Sequence, residues 1–258
     1  MVDMVPGLLV VCLATLAAVG GLVVVQRLVP SSGRAEHNDV AGFIYAVLGV
    51  AYAVLLGLVF IAVWEGFAEA GDTADREASQ LAEVFWIAHR LPEPEGRRIQ
   101  ELARSYAEVV VEEEWPLMQE GRASPRAWAL MDEIREPIQD GVVGPGAEQM
   151  LYVQALERVH DLNDARRGRL VDAQEGLPAL MWVVLVSGGV IVVGFTYLFG
   201  LGNTVVHALM IGALAAIISL SLFTVAALDY PFGRGVQVGP EAFEQVLGRF
   251  ESGELSDL

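Results

Sequence analysis

Side chains able to do acid–base, metal or nucleophilic chemistry are scattered along this sequence rather than gathered. Of the four histidines, His89 and His160 fall in polar stretches of helical pattern, and His37 and His207 at the edges of apolar ones. No His-x-x-x-His pair occurs, so no helix face presents two imidazoles to one metal. Glu112-Glu113-Glu114 resembles a cation site in composition, but three successive acids on a helix point in different directions. Hard cations need several converging oxygens, so the run reads as a solvated face unless an oligomer brings copies together. The single cysteine, Cys12, permits neither an intrachain disulfide nor a cysteine metal cluster. No serine sits in a nucleophile elbow, and no glycine loop is shaped to cradle phosphate. The expectation is no catalytic residue, no metal site and no cofactor. Asn38 and Asp39 carry more weight. Their side-chain oxygens can cap a helix that starts there. In an oligomer, Asp39 would also form a ring of carboxylates at a pore mouth, attracting cations and repelling anions.

Those two residues open the stretch that the other segments support. From Val40 to Val63 there is no charged side chain, roughly the 20 residues a helix needs to cross a hydrocarbon core. At helical spacing Asp39, Gly42, Ala46, Gly49, Ala53, Gly57, Phe60 and Trp64 form one stripe. A small-residue face suits a close helix neighbour or an axis shared by several copies. Tyr45 and Tyr52, on a neighbouring face, suit either packing between helices or positions along a pore. The pore-lining candidates are therefore Asp39, Gly42, Tyr45, Ala46, Gly49, Tyr52, Ala53 and Gly57.

The remaining elements follow from pattern and punctuation. A first apolar span covers about 5–25, and Pro30, Ser31, Ser32 and Gly33 make a turn before the second, about 40–63. No proline occurs from Val40 to Leu91. The helical pattern continues through Ala78, Leu81, Val84, Phe85 and Ala88, which predicts one long helix broken at Pro92 and Pro94. A second amphipathic helix fits Glu95–Gln119, kinked or ended by Trp115-Pro116. Ser124-Pro125 starts a third, through Ile138. After a loop at Gly141–Gly146, a fourth runs from near Ala147 towards Gln174. Two more spans, about 178–199 and 204–228, are joined by so short a link that they form a tight hairpin. Asp229, Pro231, Phe232 and Gly233 follow, then a short helix at Pro240–Arg249.

The expected fold class is all-α: a polytopic membrane protein with four transmembrane helices in two hairpins and a cytoplasmic helical domain inserted between them. The first hairpin takes residues 1–64, the domain 65–177, the second hairpin 178–228 and an acidic cytoplasmic tail 229–258. The net charge of −17 lies mainly in the domain and tail, which excludes nucleic acid as a partner, since backbone binding needs clustered positive charge. Arginines flank the spans mostly on the domain side. Arg76, Arg166, Arg167, Arg169 and Arg234 stand against Arg27 and Arg34, placing domain and termini inside the cell. The spans hold no charged residue, which argues against a proton-coupled transporter.

Several of these motifs together resemble a known family. They are His37-Asn38-Asp39-Val40-Ala41-Gly42-Phe43-Ile44-Tyr45, Val63-Trp64-Glu65, Glu113-Glu114-Trp115-Pro116, Tyr197-Leu198-Phe199-Gly200 and Asp229-Tyr230-Pro231-Phe232-Gly233. The set is similar to a bestrophin-like membrane family of bacteria and plants, with a more distant likeness to the bestrophins. That likeness implies a homo-oligomeric, pentameric channel for inorganic ions in the bilayer of the bacterial inner membrane, its pore lined by the second membrane helix. This sequence departs from the bestrophins after Gly233, where Arg234-Gly235-Val236 replaces their calcium-clasp acids. The alternative is a partner-dependent assembly: a stator-like or energy-transducer-like ring around another protein's helix, or a membrane sensor.

Overall fold

The computed structural model describes residues 4–29, 37–142, 149–233 and 236–252. The expected turn at Pro30, Ser31, Ser32 and Gly33 and most of the expected Gly141–Gly146 loop lie outside the described residues, as do Ala147, Arg34 and Arg234. Among the described residues every regular element is helical. The helices are α1 (Met4–Leu28), α2 (Asn38–Ala88), α3 (Glu95–Val109), α4 (Trp115–Met118), α5 (Pro125–Val142), α6 (Gln149–Asp172), α7 (Ala179–Phe195), α8 (Thr204–Leu228) and α9 (Glu241–Ser252). A π-helical turn, Val110–Glu114, joins α3 to α4, and a 3-10 turn, Thr196–Leu198, ends α7. Four helical segments are long and apolar enough to cross a membrane: Val5–Leu28, Asn38–Ala88, Ala179–Leu198 and Thr204–Leu228.

The chain divides into two compact units, residues 1–65 with 176–229, and 66–175 with 230–258. In the first unit α1 packs chiefly on α8 rather than on its sequence neighbour α2. Ala18 and Leu22 meet Ile211 and Ala215 there, and the Tyr197 hydroxyl donates to the Ala18 carbonyl at 2.7 Å. The outer faces stay apolar and exposed, for example Leu9, Leu13 and Leu16 on α1. Surface of that kind is stable in lipid and a liability in water.

In the second unit the distal part of α2, α3 to α6 and α9 enclose one core. Ala74, Ala78, Leu81, Phe85 and Ala88 are buried along α2, alternating steps of four and three residues, the signature of a helix with one apolar face. α2 passes from one unit to the other without a break. Its 51 residues measure about 75 Å at 1.5 Å per residue. It ends at Ala88, just ahead of Pro92 and Pro94.

Pro116, expected to kink or end its helix, disturbs the regular turn before it while the helix runs on to Met118. It lacks the N–H that would bond the carbonyl four residues back, and the backbone widens to a π turn in which the Trp115 N–H reaches the Val110 carbonyl. α5 likewise outruns Ile138 by four residues, past Pro137, to Val142. The Tyr152 ring lies over Gly141, where a side chain would collide with it.

Candidate functional site

The span-facing candidates separate into two groups. Tyr52 is buried, its hydroxyl donating to the Leu185 carbonyl at 3.1 Å, and its ring lies against Gly188 and Gly189. Tyr45 stacks on Phe195 and meets Phe199 edge-on, centroids 6.1 and 5.7 Å away. Both tyrosines thus pack on α7 in the protomer. The small residues form the second group. Ala46 and Ala53 are exposed, and a Cβ built on Gly49 or Gly57 would meet nothing within 4 Å. A Cβ built on Gly42 would meet only the edge of the Phe199 ring, at 4.0 Å.

At the start of α2, Asp39 is exposed. The Asn38 amide is bonded to the link between the last two spans. It donates to the Gly200 carbonyl at 3.1 Å and accepts from the Gly200 N–H at 3.0 Å, pinning α2 to the α7–α8 link. Nearby, the His207 imidazole, 2% exposed, lies 3.1 Å from the Thr196 carbonyl through Nε2.

The motif after the last span works in both units. Asp229 accepts from the Leu177 N–H at 2.6 Å and from the Trp182 indole at 3.2 Å, closing the base of the α7–α8 pair. Pro231 accepts from the Val238 N–H at 2.8 Å, and Gly233 donates to Tyr230 at 2.9 Å in a tight turn. Phe232, 2% exposed, lies edge-on to Trp115, centroids 5.6 Å apart. The Trp115 indole in turn donates to the Val238 carbonyl at 3.1 Å.

The most polar constellation was not expected. Glu77 of α2, Tyr106 of α3, Glu114 of the π turn, and Arg166 and Arg169 of α6 form one network. The four charged members are wholly buried. Arg166 grips Glu114 through two bonds of 2.7 and 2.6 Å. Arg169 bonds Glu77 at 2.6 and 3.0 Å and Glu114 at 2.8 Å. The Tyr106 hydroxyl donates to Glu77 at 2.5 Å and accepts from Arg166 at 2.9 Å. The Ser124 N–H donates to Glu114 at 2.9 Å, while Trp128 and Trp115 offer ring faces to Arg166 and Arg169. Two carboxylates against two guanidiniums leave no net charge, the condition for burying such groups. Burial on its own would raise the Glu114 carboxyl, but Arg169 and Arg166 hold it below the ordinary range. Burial, together with Glu77, drives the Tyr106 phenol well up, so it stays a neutral donor.

The solvated reading of Glu112-Glu113-Glu114 is therefore corrected at its last member. Glu112 is exposed and Glu113 pairs at the surface with Arg126, 2.7 Å away, but Glu114 points inward. The π turn causes this. Tyr106, Val110, Glu114 and Met118 are all buried at steps of four residues, whereas in a regular helix each such step drifts by about 40°. Arg166 and Arg169, neutralised in this way, do not act as free positive charge beside the spans. Arg167 remains exposed.

The sequence matches the family described as Bestrophin-like domain over residues 12–243, most of its length. The chain belongs to the bestrophin-like family. Among solved structures, a variant of a bacterial bestrophin homologue from Klebsiella pneumoniae is 14% identical with a TM-score of 0.70, over 94% of this chain and 98% of that one. A second structure of that homologue gives 14% and 0.67 over 96% and 97%. A crystal structure named only as a membrane protein variant gives 13% and 0.71 over 94% and 97%. At such identity the likeness is one of fold. Comparison with the curated proteins found no match. The chain is thus a bestrophin-like membrane protein, with the bestrophin-like fold over nearly its whole length.

Proposed function

We propose that this bestrophin-like chain is a homo-oligomeric ion channel, a pentamer as the family resemblance implies, with α2 around the axis. One observation supports this above the others. The face of α2 bearing Ala46, Gly49, Ala53 and Gly57 is uncovered in the protomer, while Tyr45 and Tyr52 are committed to α7. Uncharged small residues on an uncovered face suit a narrow apolar passage that gates by wetting and drying. Asp39 stands one turn before that face and would supply the carboxylate ring at its mouth. The four spans are read as two sequence hairpins in the bacterial inner membrane. Residues 65–177 and the acidic tail then lie on the cytoplasmic side, an orientation supported by Arg76 and Arg167.

Ion flux through purified protein in liposomes, under asymmetric potassium and chloride gradients, tests this reading. The expected result is a selective conductance, with the sign of the reversal potential naming the ion class. Ala53→Leu is expected to reduce it several-fold by narrowing the passage, and Asp39→Asn to move the reversal potential towards anions. A silent bilayer containing folded, oligomeric protein would overturn the proposal in favour of a ring that works only around a partner.

A further inference from the structure

Outside the balanced buried network, α2 and α6 face each other across a second polar region in which acidic groups predominate. The two helices run antiparallel within the second unit and leave a cleft of about 360 Å³ between them. They meet where Gly168 faces Thr73: a Cβ at position 168 would lie 3.1 Å from the Thr73 methyl. Beyond that contact, towards the ends at which the chain leaves the unit (Gly66 and Glu175), Glu69 of α2 and Asp172 of α6 line the cleft. On the other side lie Arg76 of α2 and Asp161 and Asp164 of α6. Glu175, just after α6, adds a further carboxylate acting on Asp172. Among the described residues the cleft is lined by these two helices alone, four carboxylates against one guanidinium.

We propose that the Glu69–Asp172 end of this helix pair is a proton-operated joint. With both carboxylates ionised they hold the last turn of α6 away from the unbroken α2, and uptake of one proton lets that turn close about the Gly168–Thr73 contact. The joint requires no metal and no partner, and it operates whether or not the chain conducts ions. Like charges sharing a partly desolvated cleft favour retention of a proton by one of them. Burial, then Glu69 and Glu175, push the Asp172 carboxyl above the ordinary aspartate value, with the Thr73 hydroxyl and Arg76 pulling the other way. The sign of the linkage follows. The tightened state is complete at pH below the ordinary aspartate value and is lost as pH rises through the higher folded-state value.

Hydrogen exchange of the intact protein in detergent, corrected for the intrinsic pH dependence of amide exchange, reads the joint directly. On mild acidification the amides of residues 66–76 and 165–172 should gain protection, up to about tenfold for each unit by which the carboxyl is shifted. Asp172→Asn should show the protected level already at neutral pH and lose the dependence. Where that variant does not fold, Glu69→Gln, at an exposed position, removes the same repulsion from the other helix and should flatten the profile equally. Wild-type protection that ignores pH, or either folded variant keeping the wild-type profile, would overturn the joint.

Discussion

At the scale of single residues, charge buried in balance carries the second unit. Glu114 serves two guanidiniums at once, so Glu114→Gln leaves Arg166 and Arg169 sharing only Glu77. Breaking a buried pair by removing one partner costs about 3–5 kcal/mol. The neighbouring Glu113→Gln, which breaks an exposed pair with Arg126, should cost less than about 1 kcal/mol. Thermal unfolding of the two variants side by side measures the contrast. Because Glu114 is held below its ordinary value, it contributes stability above its unfolded-state value, lost as pH falls through the lower folded-state one. Acid sensitivity of the second unit should therefore shrink in Glu114→Gln, a slope opposite in sign to that assigned to Asp172. This network was written in the sequence in a form easy to pass over. Glu77 falls in the apolar stripe of α2 between Ala74 and Leu81, and Arg166 and Arg169 continue the stripe Ala155, Val159, Leu162 of α6. A charge at a core position signals a partner elsewhere in the core, and two such signals of opposite sign point to each other. Glu114 alone gave no such signal, since regular helical spacing puts Glu113 on the inner face.

At the scale of elements, hydropathy and proline punctuation were sufficient for most boundaries. The unbroken α2, the cap-and-proline start of α5 and the α7–α8 pair all follow from local chemistry, and local chemistry is what a sequence displays. The packing of α1 on α8 was hidden because two helices in an apolar solvent have no hydrophobic stripe to match. Contact is decided instead by small residues and by hydrogen bonds such as Tyr197 to Ala18. The α2–α7 contact has the same character. A Cβ at Gly188 would stand 2.8 Å from the Tyr52 ring, closer than atoms pack. Gly188→Ala should therefore destabilise the first unit by about 1–3 kcal/mol, the usual cost of overfilling. Tyr52→Leu in the same chain should recover part of that loss, since touching residues couple by about 0.5–3 kcal/mol. Melting of the single and double variants in detergent closes the cycle.

At the scale of the whole molecule, the two units hold themselves together by different means. The first relies on small residues, aromatic contacts and a few backbone-directed hydrogen bonds. The second relies on an apolar core built around a neutral ionic network, with Phe232 and Phe243 bringing the C-terminal segment into it. Glu114→Gln and Gly188→Ala share no partner, so their effects should add to within about 0.5 kcal/mol. A larger discrepancy in the double variant would mean that α2 transmits strain from one unit to the other.

The π turn before Pro116 has a consequence for inheritance. It holds one residue more than a helical turn requires, the form a single-codon insertion takes when a fold absorbs it in place. Removing that residue would make the helix regular and leave Glu114, Trp115 and Met118 on the face they share with Tyr106, since seven regular steps of about 100° end within about 20° of where they began. Relatives lacking the extra residue should accordingly keep their acid seven positions after the tyrosine, not eight. An alignment of the family would show that displacement as a one-column gap.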